Sequence, residues 1–72
     1  MNLAQVKHHR MALVGALNEA TYSARLLAVG IHPGATIEIL SRTSSRGLLV
    51  KVDDTRVVLS LELASQIECC YR

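Results

Sequence analysis

Apolar residues fall on both sides of any alternation between His8 and Leu17. Met11, Leu13, Gly15 and Leu17 alternate with Ala12, Val14 and Ala16. Val14 and Gly15 disfavour helix, so the segment is read as a strand with two apolar faces. The period then changes. Tyr22, Leu26 and Val29 fall at i, i+4 and i+7 on one helical face, and Leu27 lies about 100° round from Leu26. Asn18 offers a cap for this helix, with Glu19 in its positive first turn; Thr21 and Ser23 offer later caps. The helix is apolar over a wide arc, more than a small domain covers completely.

Gly30 is placed to end the helix in the left-handed conformation, and Ile31 to fold back on Leu26. His32-Pro33-Gly34-Ala35 fits a type II turn, with Pro at i+1 and Gly at i+2. A strand follows over Thr36 to Leu40, with Ile37 and Ile39 on one face. Ser41 to Gly47 is a polar loop carrying Arg42 and Arg46. Leu48, Val50 and Val52 share a strand face, Asp53 to Arg56 makes a tight connection, and Val57 to Leu61 pairs back as a hairpin. Leu61 to Gln66 is predicted as one helical turn capped by Ser60, and Ile67 to Tyr71 as a last strand. Met1 to Lys7 shows no pattern and is expected to be a loosely held terminus. The resulting architecture is mainly β, with about five short strands and one helix after the first strand, expected to close into a small barrel without exposed edges.

At 72 residues the chain is a single domain. A domain this small buries only about 60% of the surface of its unfolded chain. Half of its residues are hydrophobic, yet Phe and Trp are absent, so the core must be aliphatic. An apolar-rich chain with little interior points to exposed apolar surface, the usual mark of a partner site. The net charge of +2 is mild, and acids and bases are interspersed. Lys7-His8-His9-Arg10 is the densest basic run, short of the clustered patch of a nucleic-acid binder. The apolar run Met11 to Leu17 is too short for a convincing leader and is stopped by Asn18-Glu19. No run approaches the ~18 apolar residues of a membrane span. The chain is expected to be cytoplasmic, with adjacent Cys69 and Cys70 reduced, one thiol buried and one exposed.

The stretch R-L-L-x-x-G-I-x-P-G-x-x-I-E-I, Arg25 to Ile39, closely resembles the FeoA family. Arg56-Val57-Val58-Leu59-Ser60-Leu61 and Glu62-Leu63-Ala64-Ser65-Gln66-Ile67 look like that family's late strand, short turn and closing strand. The resemblance covers about residues 8 to 71. Two loops depart from it: Lys7 is followed by His8 where family members often have glycine, and Ser41 to Gly47 lacks the family's prolines. The resemblance implies an SH3-like β-barrel with a helix after the first strand. It also implies an accessory role beside FeoB, a ferrous iron transporter with a cytosolic GTPase domain, with no cofactor required. The same domain ends some metal-dependent repressors, but no winged-helix segment is present here.

Other chemistry finds less support. His8 and His9 diverge if they lie on a strand, so a metal site with Cys69, Cys70 or His32 lacks convergence, and the thiols suit Zn²⁺ or Cu⁺ better than Fe²⁺. No nucleophile motif or phosphate-binding glycine loop occurs, so the chain is not read as an enzyme. Arg42 and Arg46 are the candidates for an arginine finger offered in trans to the transporter's GTPase, with a solvated loop as the plainer alternative. Single-strand nucleic-acid recognition needs aromatic platforms, and only Tyr22 and Tyr71 are available. A protein-binding module is the expectation, with Leu27, Ile31, Pro33, Arg42 and Arg46 as its contact residues. A nucleic-acid module, or self-association through the same patch, is the alternative.

Overall fold

A computed structural model describes residues 1–17 and 24–72. Five antiparallel strands form one sheet: β1 (Met11–Val14), β2 (Thr36–Arg42), β3 (Gly47–Val52), β4 (Thr55–Ser60) and β5 (Cys69–Tyr71), in the order β4-β3-β2-β1-β5. Helix α1 (Ala24–Ala28) follows β1, and a single turn, α2 (Leu61–Ala64), joins β4 to β5. The proposed caps at Asn18, Thr21 and Ser23, and Tyr22, lie outside the described residues.

The alternation in the sequence becomes the two faces of the sheet. Ile37, Ile39, Leu48 and Val50 have no exposed surface, and Val52 is 2% exposed. The first strand is shorter than its apolar pattern. His9 has a positive φ of 62°, and beyond Val14 the backbone of Gly15 donates to Glu68 O, so regular pairing is confined to Met11–Val14. Only Ala12 and Val14 of this strand enter the core; Met11 and Leu13 face outward at 45% and 37% exposure. In β2, Leu40 is an extra residue between the pairs Ile39↔Val50 and Ser41↔Leu49. Such a bulge bends a strand and raises its twist, and it lets a short sheet curl around an aliphatic core.

The terminus is not loose. Leu3 and Val6 are fully buried around a 3-10 turn at Leu3–Gln5, and Leu3 N–H donates to Ile67 O at 2.9 Å. Cys69 N–H donates to Met1 O at 2.9 Å, so the first residues pair along the free side of β5. Small spaced apolar residues at Leu3 and Val6 form no periodic run, which is why the sequence pattern misses them.

Closure is also incomplete. Among the described residues β4 pairs only with β3, through the register Val52↔Thr55 to Gly47↔Ser60. One side of β4 therefore keeps a free edge, where the sequence had suggested a barrel without edges. α2 spans the gap between β4 and β5: Ser60 Oγ accepts from Leu63 N–H at 3.1 Å, as its predicted capping role requires.

Candidate functional site

The corner after α1 is built as its residues dictate. Gly30 has φ of +93°, its N–H donates to Leu27 O at 3.0 Å, and Ile31 N–H donates to Leu26 O at 2.9 Å. This pair of bonds is the Schellman ending, which needs a residue without Cβ at the left-handed position. Gly34, at φ of +91°, occupies the third position of a turn closed by Ala35 N–H to His32 O at 2.9 Å. The turn is tied to β1: Gly34 N–H donates to Val14 O and Val14 N–H to Ala35 O, both at 2.8 Å. The corner is thus a rigid junction.

Its contact residues separate. Leu27 is 42% exposed on α1, and Pro33 is exposed at the turn. Ile31, expected to share the contact surface, is fully buried and belongs to the core. The physical reason is its own hydrogen bond to Leu26, which turns the side chain inward against the helix's buried face. Arg42 is the last residue of β2, roughly 20 Å from its first at the usual rise per strand residue, and Arg46 lies in the turn that follows. The Arg42 guanidinium donates to Ala4 O, which attaches it to the N-terminal segment. Arg46 is exposed, sits at φ of 61°, and accepts Leu61 N–H on its carbonyl. The five residues do not form one surface.

The remaining chemistry is dispersed. His8 and His9 place their ring centroids 6.4 Å apart at 66°, and His32 Nδ1 lies 2.9 Å from Pro33 O. Among the described residues no three His, Cys, Asp or Glu side chains gather in one place. Cys69 is buried and Cys70 exposed, as adjacent positions on a strand require. Burial pushes the Cys69 thiol above its ordinary value. Tyr71 is occupied within the fold: Arg10 stacks 4.1 Å from its ring centre, and its hydroxyl accepts Lys7 N–H at 3.2 Å.

The residues the sequence did not single out line a groove of about 500 Å³ between α1 and β4. Arg25, Leu26 and Val29 form one wall; Val57, Val58 and Leu63 lie on the other side. Val58 is 60% exposed, the most exposed of the large apolar side chains among the described residues. The signal was present in Val57-Val58-Leu59, an apolar run that puts one hydrophobe on the wrong side of a half-buried strand.

A bent five-stranded antiparallel sheet with a helix after its first strand and a one-turn helix before its last defines the class of small SH3-like barrels. The FeoA domain model matches residues 1–69, and the chain belongs to the FeoA family. A solved iron uptake regulatory protein, FeoA, is 21% identical with a TM-score of 0.84, covering 100% of this chain and 96% of its own. FeoA of Stenotrophomonas maltophilia, solved with zinc and described as an SH3 domain protein, is 25% identical with a TM-score of 0.79. The match covers 97% of this chain and 89% of that one. The manganese regulator SloR shares the fold alone, at 15% identity and a TM-score of 0.83 over 100% of this chain and 34% of its own. No curated protein sequence matches.

Proposed function

We propose that this chain is a non-enzymatic accessory of a FeoB-type ferrous iron transporter and acts on its cytosolic GTPase region by protein–protein contact. The observation that carries the reading is the FeoA family match over residues 1–69. It is supported by the S. maltophilia relative, described as a candidate activating factor of bacterial ferrous iron transport. Fe²⁺ is the cargo of such a transporter, and the chain itself needs no resident metal for this role. The nucleic-acid alternative loses ground because Tyr71 is engaged by Arg10 and Lys7, leaving no stacking platform there.

The solvent-facing Leu27 and Pro33 are the contact residues that remain at the corner, with Arg46 exposed at the far end of β2. The test is a pull-down of the transporter's isolated cytosolic domain, with and without a non-hydrolysable GTP analogue. Retention of the domain by this chain is expected. Absence of retention in both nucleotide states overturns the reading.

A further inference from the structure

The groove between α1 and β4 is bounded on one side by a strand edge, and that edge has a fixed hydrogen-bond parity. Leu61 N–H donates to Arg46 O at 3.1 Å. Bonded and non-bonded pairs alternate along an antiparallel ladder. With the observed register, Leu59↔Leu48, Val57↔Val50 and Thr55↔Val52 are therefore the bonded pairs. Arg56 and Val58 direct their N–H and C=O groups away from β3. Among the described residues no backbone partner reaches these groups. Two donors and two acceptors spaced along an exposed strand are the template for one more strand.

The surroundings select its side chains. The wall opposite β4 carries Leu26 and Val29, and Val57 and Leu63 complete an apolar lining. On the outer face Gly47 leaves Val58 uncovered: a Cβ at position 47 would lie 2.8 Å from Val58 Cγ1. Alternate apolar side chains of an added strand would fill the inner lining, and the side chains between them would lie beside Arg56 and Val58 on the outer face. Among the described residues the groove's only charged lining residue is Arg25, and Arg56 precedes the apolar run on β4. Neither is ion-paired; the one salt bridge among the described residues joins the Met1 ammonium to Glu68. A second copy of this edge, Thr55–Ser60, carries no carboxylate to meet these arginines, whereas an acidic segment does.

We infer that the free edge of β4 is a docking site for an extended segment of a partner protein that alternates apolar and acidic residues, added to the sheet as a sixth strand beside Arg56 and Val58. The inference rests on the reading that this chain works by binding a protein partner. It specifies the mode, backbone pairing at β4, and the chemistry of the segment. It adds this contact to the one proposed at Leu27 and Pro33.

The test uses the intact chain and a synthetic peptide alternating valine and glutamate, followed by NMR amide exchange. Arg56 and Val58 amides are expected to become protected on titration, and added salt is expected to weaken binding. Val58→Pro removes an N–H that takes no part in the β3 ladder, a place where an edge strand tolerates proline. It should weaken the peptide about threefold to tenfold, the worth of one lost hydrogen bond. Val58→Glu leaves every ladder bond in place and covers the case of a proline variant that fails to fold. It should repel the glutamate peptide and favour one with lysine in its place. Lack of protection at Arg56 and Val58 overturns the inference, as does equal binding of the lysine peptide to the wild type. Protection that rises with protein concentration alone also overturns it, assigning the edge to a second copy. The peptide result is independent of the transporter. If the wild type retains the transporter domain and the edge variants retain it equally, the edge inference fails while the accessory role stands. If the wild type binds the peptide but not the domain, the accessory role fails instead.

Discussion

Ile31 donates its N–H to the Leu26 carbonyl at 2.9 Å, and both side chains are buried, at 0% and 5% exposure. Leu27, between them in sequence, is 42% exposed. One hydrogen bond thus divides the corner into a core half and a surface half. Ile31→Ala should cost about 2–5 kcal/mol, as for other buried aliphatic truncations. Leu27→Glu should change stability by no more than about 0.5 kcal/mol, as for other surface substitutions, while weakening the transporter pull-down. Urea unfolding of both variants reads the contrast. A Leu27→Glu protein that unfolds would place Leu27 in the core.

Gly30 carries the ending itself. Its φ of +93° excludes an unstrained Cβ, and a Cβ there would stand 3.1 Å from Val52 Cγ1. Gly30→Ala is expected to destabilise by about 1–2 kcal/mol from the left-handed backbone alone, and further if Val52 cannot shift. Gly34 has a similar φ, +91°, but open space around it, so Gly34→Ala should show the backbone contribution without the clash. Equal midpoints for the two variants would show that Val52 yields freely.

The N-terminal residues are expected to behave as core. Leu3 is fully buried and hydrogen-bonded to Ile67 O, and Met1 pairs with Cys69. Leu3→Ala should cost about 2–5 kcal/mol, where a loose terminus would lose nothing. Thermal melting decides it: on a domain of this size even 1 kcal/mol moves Tm by about 4–8 °C.

The two thiols should react differently. Maleimide is expected to label Cys70 in the folded protein and Cys69 only after unfolding, because Cys69 is 6% exposed. Desolvation by burial is the main cause raising the Cys69 thiol; the N-terminal ammonium opposes it, and Cys70 and Glu68 add to it. The folded state therefore holds this proton more tightly than the unfolded state. Its contribution to stability is complete below the ordinary thiol range, near pH 8.5, and falls as pH rises through that range toward the folded value. Urea midpoints measured from neutral to alkaline pH should decline, and Cys69→Ala should flatten that decline. A parallel decline in the variant would assign it to other groups.

Local chemistry made much of this protein legible in its sequence. Gly30 and Pro33-Gly34 announce the corner, Ser60 announces α2, and the alternation of Ile37, Ile39, Leu48, Val50 and Val52 announces the sheet face they share. Each of these signals acts within a few residues or through a simple period. The interaction surface was harder to read. Leu27 and Ile31 are equally apolar, and only the direction imposed by the helix ending separates them. Ser41 to Gly47 reads in the sequence as one polar loop, but β2 continues through Arg42, and only the residues after it make the turn that carries Arg46.

The sequence by itself determined the helix-to-strand corner, the aliphatic core strands and the FeoA resemblance, because capping, turn geometry and hydrophobic period are short-range properties. Tertiary structure alone decided that Leu3 and Val6 are core, since the turn they build is held by Leu3 N–H on the Ile67 carbonyl, near the other end of the chain. It alone also decided that β4 keeps an open edge beside an apolar groove. Whether a strand has one neighbour or two depends on how the whole sheet bends, and no window of residues within β4 carries that information.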